Sequence, residues 1–237
     1  MLTLDGLTVR YPGRPHPVLT DVSLRVPSGS MVGVNAPSGT GKTTLLRAAA
    51  LLLAPERGTV RIGDTPVRGT GYRVPRQVRR RVGIVFQSPR ASTDSRLTLR
   101  RIIAAPLSHD RGRWRPTTEG AVGGHVAELA ARVQLSEDLL DRLPHQVSDG
   151  QLQRACLARA LALDPRVLIC DEPTAMLDAP STAVIMGLLR DHADTGAAVL
   201  LASHDRGLLE LTCEQTRPLA QLSASASAIG VPPPTNS

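Results

Sequence analysis

Residues 145 to 173 constrain the fold more tightly than any other part of the chain. A short polar turn, Val147-Ser148-Asp149-Gly150-Gln151, opens an Ala- and Leu-rich stretch that predicts a helix over Gln151 to Leu163. The apolar run Val167 to Cys170 follows and ends on two adjacent carboxylates, Asp171 and Glu172. A short apolar run bounded by turn residues predicts a strand. Another such run, Ala198 to Leu201, lies beyond a helical stretch over Thr182 to His192. Strand–helix–strand in this order predicts a parallel sheet.

The first third of the chain has a different texture. Leu2 to Leu4, Leu7 to Val9, Val18 to Val26 and Met31 to Val34 are apolar or alternating, and the turn clusters Tyr11-Pro12-Gly13 and Pro27-Ser28-Gly29 separate them. This predicts β-structure. A helix is expected over Thr43 to Leu53, then short strands at Val60 to Ile62 and Val82 to Phe86. The segment from about 88 to 161 carries several turn breaks and at least two helices, one over Val126 to Val133, and is read as an inserted helical lobe.

Between the strand ending at Val34 and the helix from Thr43 lies Ala36-Pro37-Ser38-Gly39-Thr40-Gly41-Lys42-Thr43-Thr44. A glycine-rich loop between a strand and a helix can aim successive N–H groups at phosphate oxygens, and the helix N-terminus adds positive potential. Gly39 and Gly41 allow close backbone approach, Lys42 can reach β- and γ-phosphates, and the Thr43 hydroxyl can meet Mg²⁺. Ala36 stands where a first glycine is usual, which matters only if that position needs φ > 0. Asp171, closing its strand, is placed to hold Mg²⁺ directly or through water. Alternation along the strand points Glu172 elsewhere, as suits a group polarising an attacking water.

In this order the two segments resemble the ATP-binding subunits of ABC transporters. That resemblance covers about residues 2 to 210 and implies an α/β fold: a P-loop NTPase core with a mainly parallel sheet, an N-terminal antiparallel β-lobe and the inserted helical lobe. It also implies roles for further residues. Gln87 is similar to the family's Q-loop glutamine, which contacts Mg²⁺ and water; His204 to the H-loop histidine that senses the γ-phosphate; Asp178 to the D-loop aspartate that couples two subunits; and Tyr11 to the aromatic that stacks on adenine. Ser148, Gly150 and Gln151 match the signature turn, which in the family faces the nucleotide bound by the other subunit. Ser148 followed three residues on by Gln151 is itself a capping-box pattern.

Asp149 departs from the glycine of that signature. A carboxylate in a first helical turn stabilises the helix, yet one unit charge about 4 Å from another interacts by roughly 1 to 4 kcal/mol between water and a protein surface. The expectation is that Asp149 is tolerated and the protein is active.

The resemblance further implies ATP and Mg²⁺ as ligands, a second ATP-binding subunit (identical or related), transmembrane permease subunits, and a position on the cytoplasmic face of the membrane. The run Arg80-Arg-Val-Gly-Ile-Val-Phe-Gln87-Ser-Pro-Arg-Ala-Ser, with Ile102-Ile-Ala-Ala-Pro106-Leu after it, is similar to importer subunits for peptides and nickel. An extracytoplasmic substrate-binding protein is then expected as well. The alternatives are a soluble ABC ATPase acting on nucleic acid or ribosomes, or a weakly active regulatory subunit.

Composition narrows these readings. No apolar run approaches the ~20 residues needed to cross a bilayer, so a separate membrane partner is expected. The three cysteines lack metal-ligand spacing. A net charge of +7, with arginines concentrated between Arg73 and Arg115, fits a solvated basic face or attraction to an anionic membrane. With only four aromatic residues the chain has few platforms for stacking bases, and no nucleic-acid partner is expected. The ATP-binding domain is assigned to 1–215. From 216 the sequence thins to Ser-Ala repeats and a proline run, which predicts a disordered tail over 216–237. Strands that the family places beyond the histidine are expected to be missing or reduced.

Overall fold

The structure, a computed structural model, describes residues 1–37, 39–67, 69–110, 120–175 and 177–223. In chain order the strands and helices begin with β1 (Leu2–Val9), β2 (Leu19–Val26), β3 (Met31–Asn35), α1 (Lys42–Ala49), β4 (Arg57–Ile62) and β5 (Thr65–Val67). They continue with α2 (Arg76–Arg79), β6 (Val82–Val85), α3 (Leu99–Asp110), α4 (Ala121–Arg132) and α5 (Asp149–Leu161). The last are β7 (Val167–Asp171), α6 (Ala179–Asp194), β8 (Ala198–Ser203), α7 (Arg206–Thr212) and β9 (Gln215–Pro218).

Two sheets result. An antiparallel sheet runs β2-β1-β4-β5, and a parallel sheet runs β6-β7-β8-β3-β9. The expected α/β core, β-lobe and helical lobe are all present, with α3, α4 and α5 forming the last. Side-chain alternation divides the parallel sheet between two cores. Leu168 and Cys170 of β7 pack with Val199 and Leu201 of β8 and with the helical lobe, through Ile103 and Leu152. Val167 and Ile169 pack the other way, with Val32, Val34, Leu45 and the β-lobe. Successive side chains of a strand point to opposite faces, so one stretch of apolar sequence serves both halves of the molecule.

Register sets the site. β3 pairs with β8 through Asn35↔Ser203, and β7 pairs with β8 through Asp171↔Ala202. The carboxyl ends of three adjacent parallel strands therefore finish level, which is where open α/β sheets place ligands.

Two expectations at element ends need correction. The helix expected to reach Leu53 stops at Ala49, because Leu51 turns left-handed at φ 62°. Residues 216–223, expected in a disordered tail, are ordered. Gln215 to Pro218 extends the parallel sheet beside β3, Leu219 and Leu222 are buried against the β-lobe core, and Val22 bridges Ser223. The polar edge strand Gln215-Thr-Arg-Pro carries no apolar signal. It is held by Glu214, whose carboxylate accepts from the Met31 N–H at 2.7 Å and pairs with Arg190. The rest of the expected tail, 224–237, lies outside the described residues. The cysteines are free, and Cys156 and Cys170 are buried.

His192 on α6 is buried, donates from Nε2 to the Pro165 carbonyl at 2.9 Å, and leaves Nδ1 without a partner. Burial lowers its pKa below the ordinary 6.5; nearby Arg132 also lowers it, while the Pro165 carbonyl and Asp164 oppose the shift. Between the native and unfolded values the unfolded chain holds the extra proton, so stability rises with pH across that window and falls on acidification below 6.5. The expected outcome is a melting temperature that drops between pH 7 and pH 5. His192→Gln should flatten that acid limb while leaving carboxylate effects below it in place, as differential scanning fluorimetry across pH would read.

Candidate functional site

The loop between β3 and α1 shows why its residues take these types. Gly39 and Gly41 sit at φ 80° and 109°, in the region that glycine occupies without strain. A Cβ on Gly41 would also meet Val18 and Leu19 at 3.1–3.2 Å. Ala36 is not among the described residues with positive φ, so its side chain is accommodated. Its carbonyl accepts a hydrogen bond from Lys42 Nζ. The Thr40 hydroxyl donates to the Pro37 carbonyl at 2.7 Å and braces the loop. Ser38 lies outside the described residues.

Lys42 and Glu172 form a buried ion pair at 3.1 Å, with side chains 6% and 7% exposed. The other Glu172 oxygen lies 2.6 Å from His204 Nδ1, on a side chain that is 64% exposed. The Thr43 hydroxyl donates to Asp171 Oδ2 at 3.0 Å. Burial pushes the Asp171 carboxyl up from the ordinary carboxylate range, and Glu172 adds repulsion, while Thr43 and Lys42 oppose the shift. Such a carboxylate gains from a nearby cation.

Glu172 leaves regular strand geometry at φ 46°; its carboxylate reaches Lys42, whereas Asp171, one residue earlier, bonds Thr43. A left-handed non-glycine residue costs on the order of 1–3 kcal/mol and persists where its surroundings hold it. Here the Glu172 N–H donates to the Ala202 carbonyl at 2.9 Å, while its own carbonyl accepts from Ala175.

Lys42, Thr43 and Glu172 open on a cleft of about 420 Å³ lined also by Tyr11, Arg14, Val18, Gly39, Gly41, Thr44 and Gln87. Tyr11 Oη lies 3.3 Å from Thr44 Oγ1 at one wall, and exposed Gln87 stands just beyond β6. Among the described residues no group of three or more His, Cys, Asp or Glu could hold a metal by itself. Thr43, Asp171 and Gln87 offer a few hard oxygen donors, a set that suits Mg²⁺ shared with phosphate oxygens and water.

The remaining expected residues lie elsewhere. Ser148 caps α5: its hydroxyl accepts from the Gln151 N–H at 3.2 Å, and Gln151 Oε1 accepts from the Ser148 N–H at 2.9 Å. Asp178 caps α6 by accepting from Ser181 N–H at 2.9 Å, and hydrogen bonding from the Ser181 side chain, then from this N–H, lowers its pKa. Gly150 is the close approach between these two caps, where a Cβ would stand 3.3 Å from Ser181 Oγ. None of Ser148, Gly150, Gln151 and Asp178 lines the cleft.

Sequence reading missed four contributors. Asn35, the last residue of β3, donates from Nδ2 to the Ser203 and His204 carbonyls, each at 3.2 Å. Buried Gln153 on α5 donates to the Pro173 carbonyl at 2.9 Å, next to Glu172. Arg14 lines the cleft, and Arg90 pairs with Asp149. For Asn35 and Gln153 the available signal was a polar residue ending or interrupting an apolar element; Arg14 and Arg90 lie in polar turns and carried none.

Residues 19–175 match the family described as ABC transporter. The chain belongs to that family, and the described fold is that of its ATP-binding domain. The methionine import ATP-binding protein MetN of Sodalis glossinidius is 35% identical over 224 residues, covering 93% of this chain and 63% of that protein. The chain thus spans somewhat less than two thirds of that relative's length. The phosphonates import ATP-binding protein PhnC 1 of Rhodopseudomonas palustris is 38% identical over 216 residues, covering 89% of this chain and 75% of that protein. The dimeric structure of MJ0796, a bacterial ABC transporter cassette, aligns with a TM-score of 0.76 at 28% identity, covering 90% of this chain and 91% of that one. Neither relative's name is that of a peptide or nickel importer.

Asn35→Ala removes the two bonds that tie the His204 turn to the phosphate loop's own strand. The expected outcome is a kcat for ATP hydrolysis about tenfold lower, with KM for Mg-ATP little changed, because a displaced histidine affects the reacting geometry more than ground-state binding. Steady-state phosphate release measures both.

Proposed function

We propose that the chain is the ATP-binding subunit of an importer, hydrolysing ATP at the cytoplasmic face of the membrane to power transport through separate permease subunits. The observation that carries this reading is a cleft lined by Lys42, Thr43 and Glu172, with His204 bonded to Glu172 and Asp171 bonded to Thr43 beside it, while the capped N-terminus of α5 lies outside it.

That separation supports a head-to-tail dimer. Ser148, Gly150, Gln151 and Asp178 of one subunit complete the cleft of the other, as the dimeric relative suggests. The loop N–H groups and Lys42 bind the phosphates, and Tyr11 packs on the base. A triphosphate competes with Glu172 for the Lys42 ammonium. The freed carboxylate then orients the attacking water and draws its proton, while His204 steadies Glu172 and faces the γ-phosphate. Thr43, Asp171 and Gln87 would hold Mg²⁺, which would supply neutralisation of phosphate charge. ATP binds the closed dimer better than the open one, and that difference closes it.

A groove of about 220 Å³ beside β6, lined by Arg80, Ile84, Phe86, Pro106 and Arg159 among others, supports permease docking one residue from Gln87. Ile102 and Ile103, of the run similar to importer subunits, are buried in the core. No helix among the described residues is long and apolar enough to cross a membrane. The relatives' names favour a small organic solute such as methionine, or a phosphonate, over peptides and nickel. An extracytoplasmic binding protein completes such a system.

The test is affinity purification from native membranes through a tagged Glu172→Gln chain loaded with Mg-ATP, which should hold the dimer closed. Co-purification of a multi-span permease, with ATPase of the unmutated assembly stimulated by methionine and its binding protein, is the expected result. Recovery of soluble or nucleic-acid-bound proteins alone would overturn the transport reading.

A further inference from the structure

Asp149 is the one residue of the signature turn whose charge opposes a bound triphosphate. It does not stand alone. Arg90, in the segment leaving Gln87, places Nε and a terminal nitrogen each 2.8 Å from Asp149 Oδ1. The same guanidinium donates to the Pro144 carbonyl at 2.9 Å and to the Val147 carbonyl at 3.3 Å. One planar fork thus holds the carboxylate and the backbone on the approach to α5. Both side chains are about half exposed, at 48% and 51%.

Exposed pairs add little to stability, since solvent screens them. Arg90's consequence is electrostatic and local. A carboxylate with an arginine on it presents a dipole, where a bare carboxylate would present a full negative charge to an anion. The fork also fixes which way Asp149 turns. Farther along, the same segment is fastened to α5 again: Arg159 donates to the Ser92 carbonyl at 2.7 Å, and Ser92 Oγ lies 3.8 Å from Cys156 Sγ. The stretch from Gln87 and the helix that opens with the signature turn are therefore tied at both ends of their contact.

We propose that Arg90 is a positioning residue for the ATPase reaction: it neutralises Asp149 and turns it aside, so that the altered signature turn can meet the nucleotide held by the partner subunit. The inference rests on the head-to-tail reading above. It predicts that the altered turn works only in company with this arginine.

The test is a charge cycle on the native assembly purified through this chain, reading KM and kcat for Mg-ATP. Arg90→Gln keeps amide donors for the two carbonyls and removes the charge. It should raise KM about tenfold, the order expected for one uncompensated charge near a triphosphate, and added salt should partly reverse the loss. Asp149→Asn alone should change KM less than about twofold, and in the Arg90→Gln background it should restore KM to within about twofold of the native value. Arg90→Lys, which keeps charge without the fork, should stay within about threefold. An Arg90→Gln chain with unchanged kinetics, a double variant that is not rescued, or an Arg90→Lys as impaired as Arg90→Gln would each overturn the proposal. Ser148→Arg separates the two levels. If it abolishes activity while Arg90→Gln is silent, only the role of Arg90 falls; if it too is silent, the head-to-tail reading falls and takes the proposal with it.

Discussion

The buried ion pair between Lys42 and Glu172, 3.1 Å apart, organises the rest of the site. Each partner would be costly to bury alone, so the loop carrying Lys42 and the strand end carrying Glu172 must arrive together. Both cores of the molecule serve that meeting. The β-lobe core seats α1 through Leu45 and Leu46, and the alternating faces of β7, packed into both cores, hold the strand that ends at Asp171. The left-handed turn at Glu172 is the local cost of bringing its carboxylate to Lys42, and the backbone bonds to Ala202 and Ala175 hold it there.

From that pair outward the site is a series of braces. Asn35 holds the turn that carries His204, Gln153 holds Pro173 from the helical lobe, and His204 closes on Glu172. Three elements far apart in sequence thus fix a single carboxylate. The helical lobe therefore does more than present a signature turn: its helix α5 reaches back to the strand end where the chemistry is centred. The association of Arg90 with Asp149 extends the same pattern to the segment that follows Gln87.

Much of this was legible in the chain because the signals are local. The glycines at 39 and 41 mark backbone positions that side chains would strain, Ser148 and Gln151 spell a cap in four residues, and the apolar runs before Asp171 and Ser203 mark buried strands. Each depends on neighbours within a turn or a strand. The edge strand Gln215–Pro218 was missed because it is polar and is held by Glu214 and by its register beside β3, features that no short window contains. The segment around Gln87 suggested peptide or nickel as cargo, whereas the named relatives are methionine and phosphonates import proteins; residues that line a groove beside β6 carry no feature specific to a solute.

By itself the sequence determined the kind of sheet, the phosphate loop, the two carboxylates and the capped signature helix, because propensity, periodicity and capping act over a few residues. Tertiary structure alone decided where those pieces point. It turned Glu172 back to Lys42, gave Asn35 and Gln153 their bracing roles, buried Ile102 and Ile103, and paired Asp149 with an arginine 59 residues earlier. Those outcomes depend on which strands finish level and which helices pack together. Only the assembled cores set those distances.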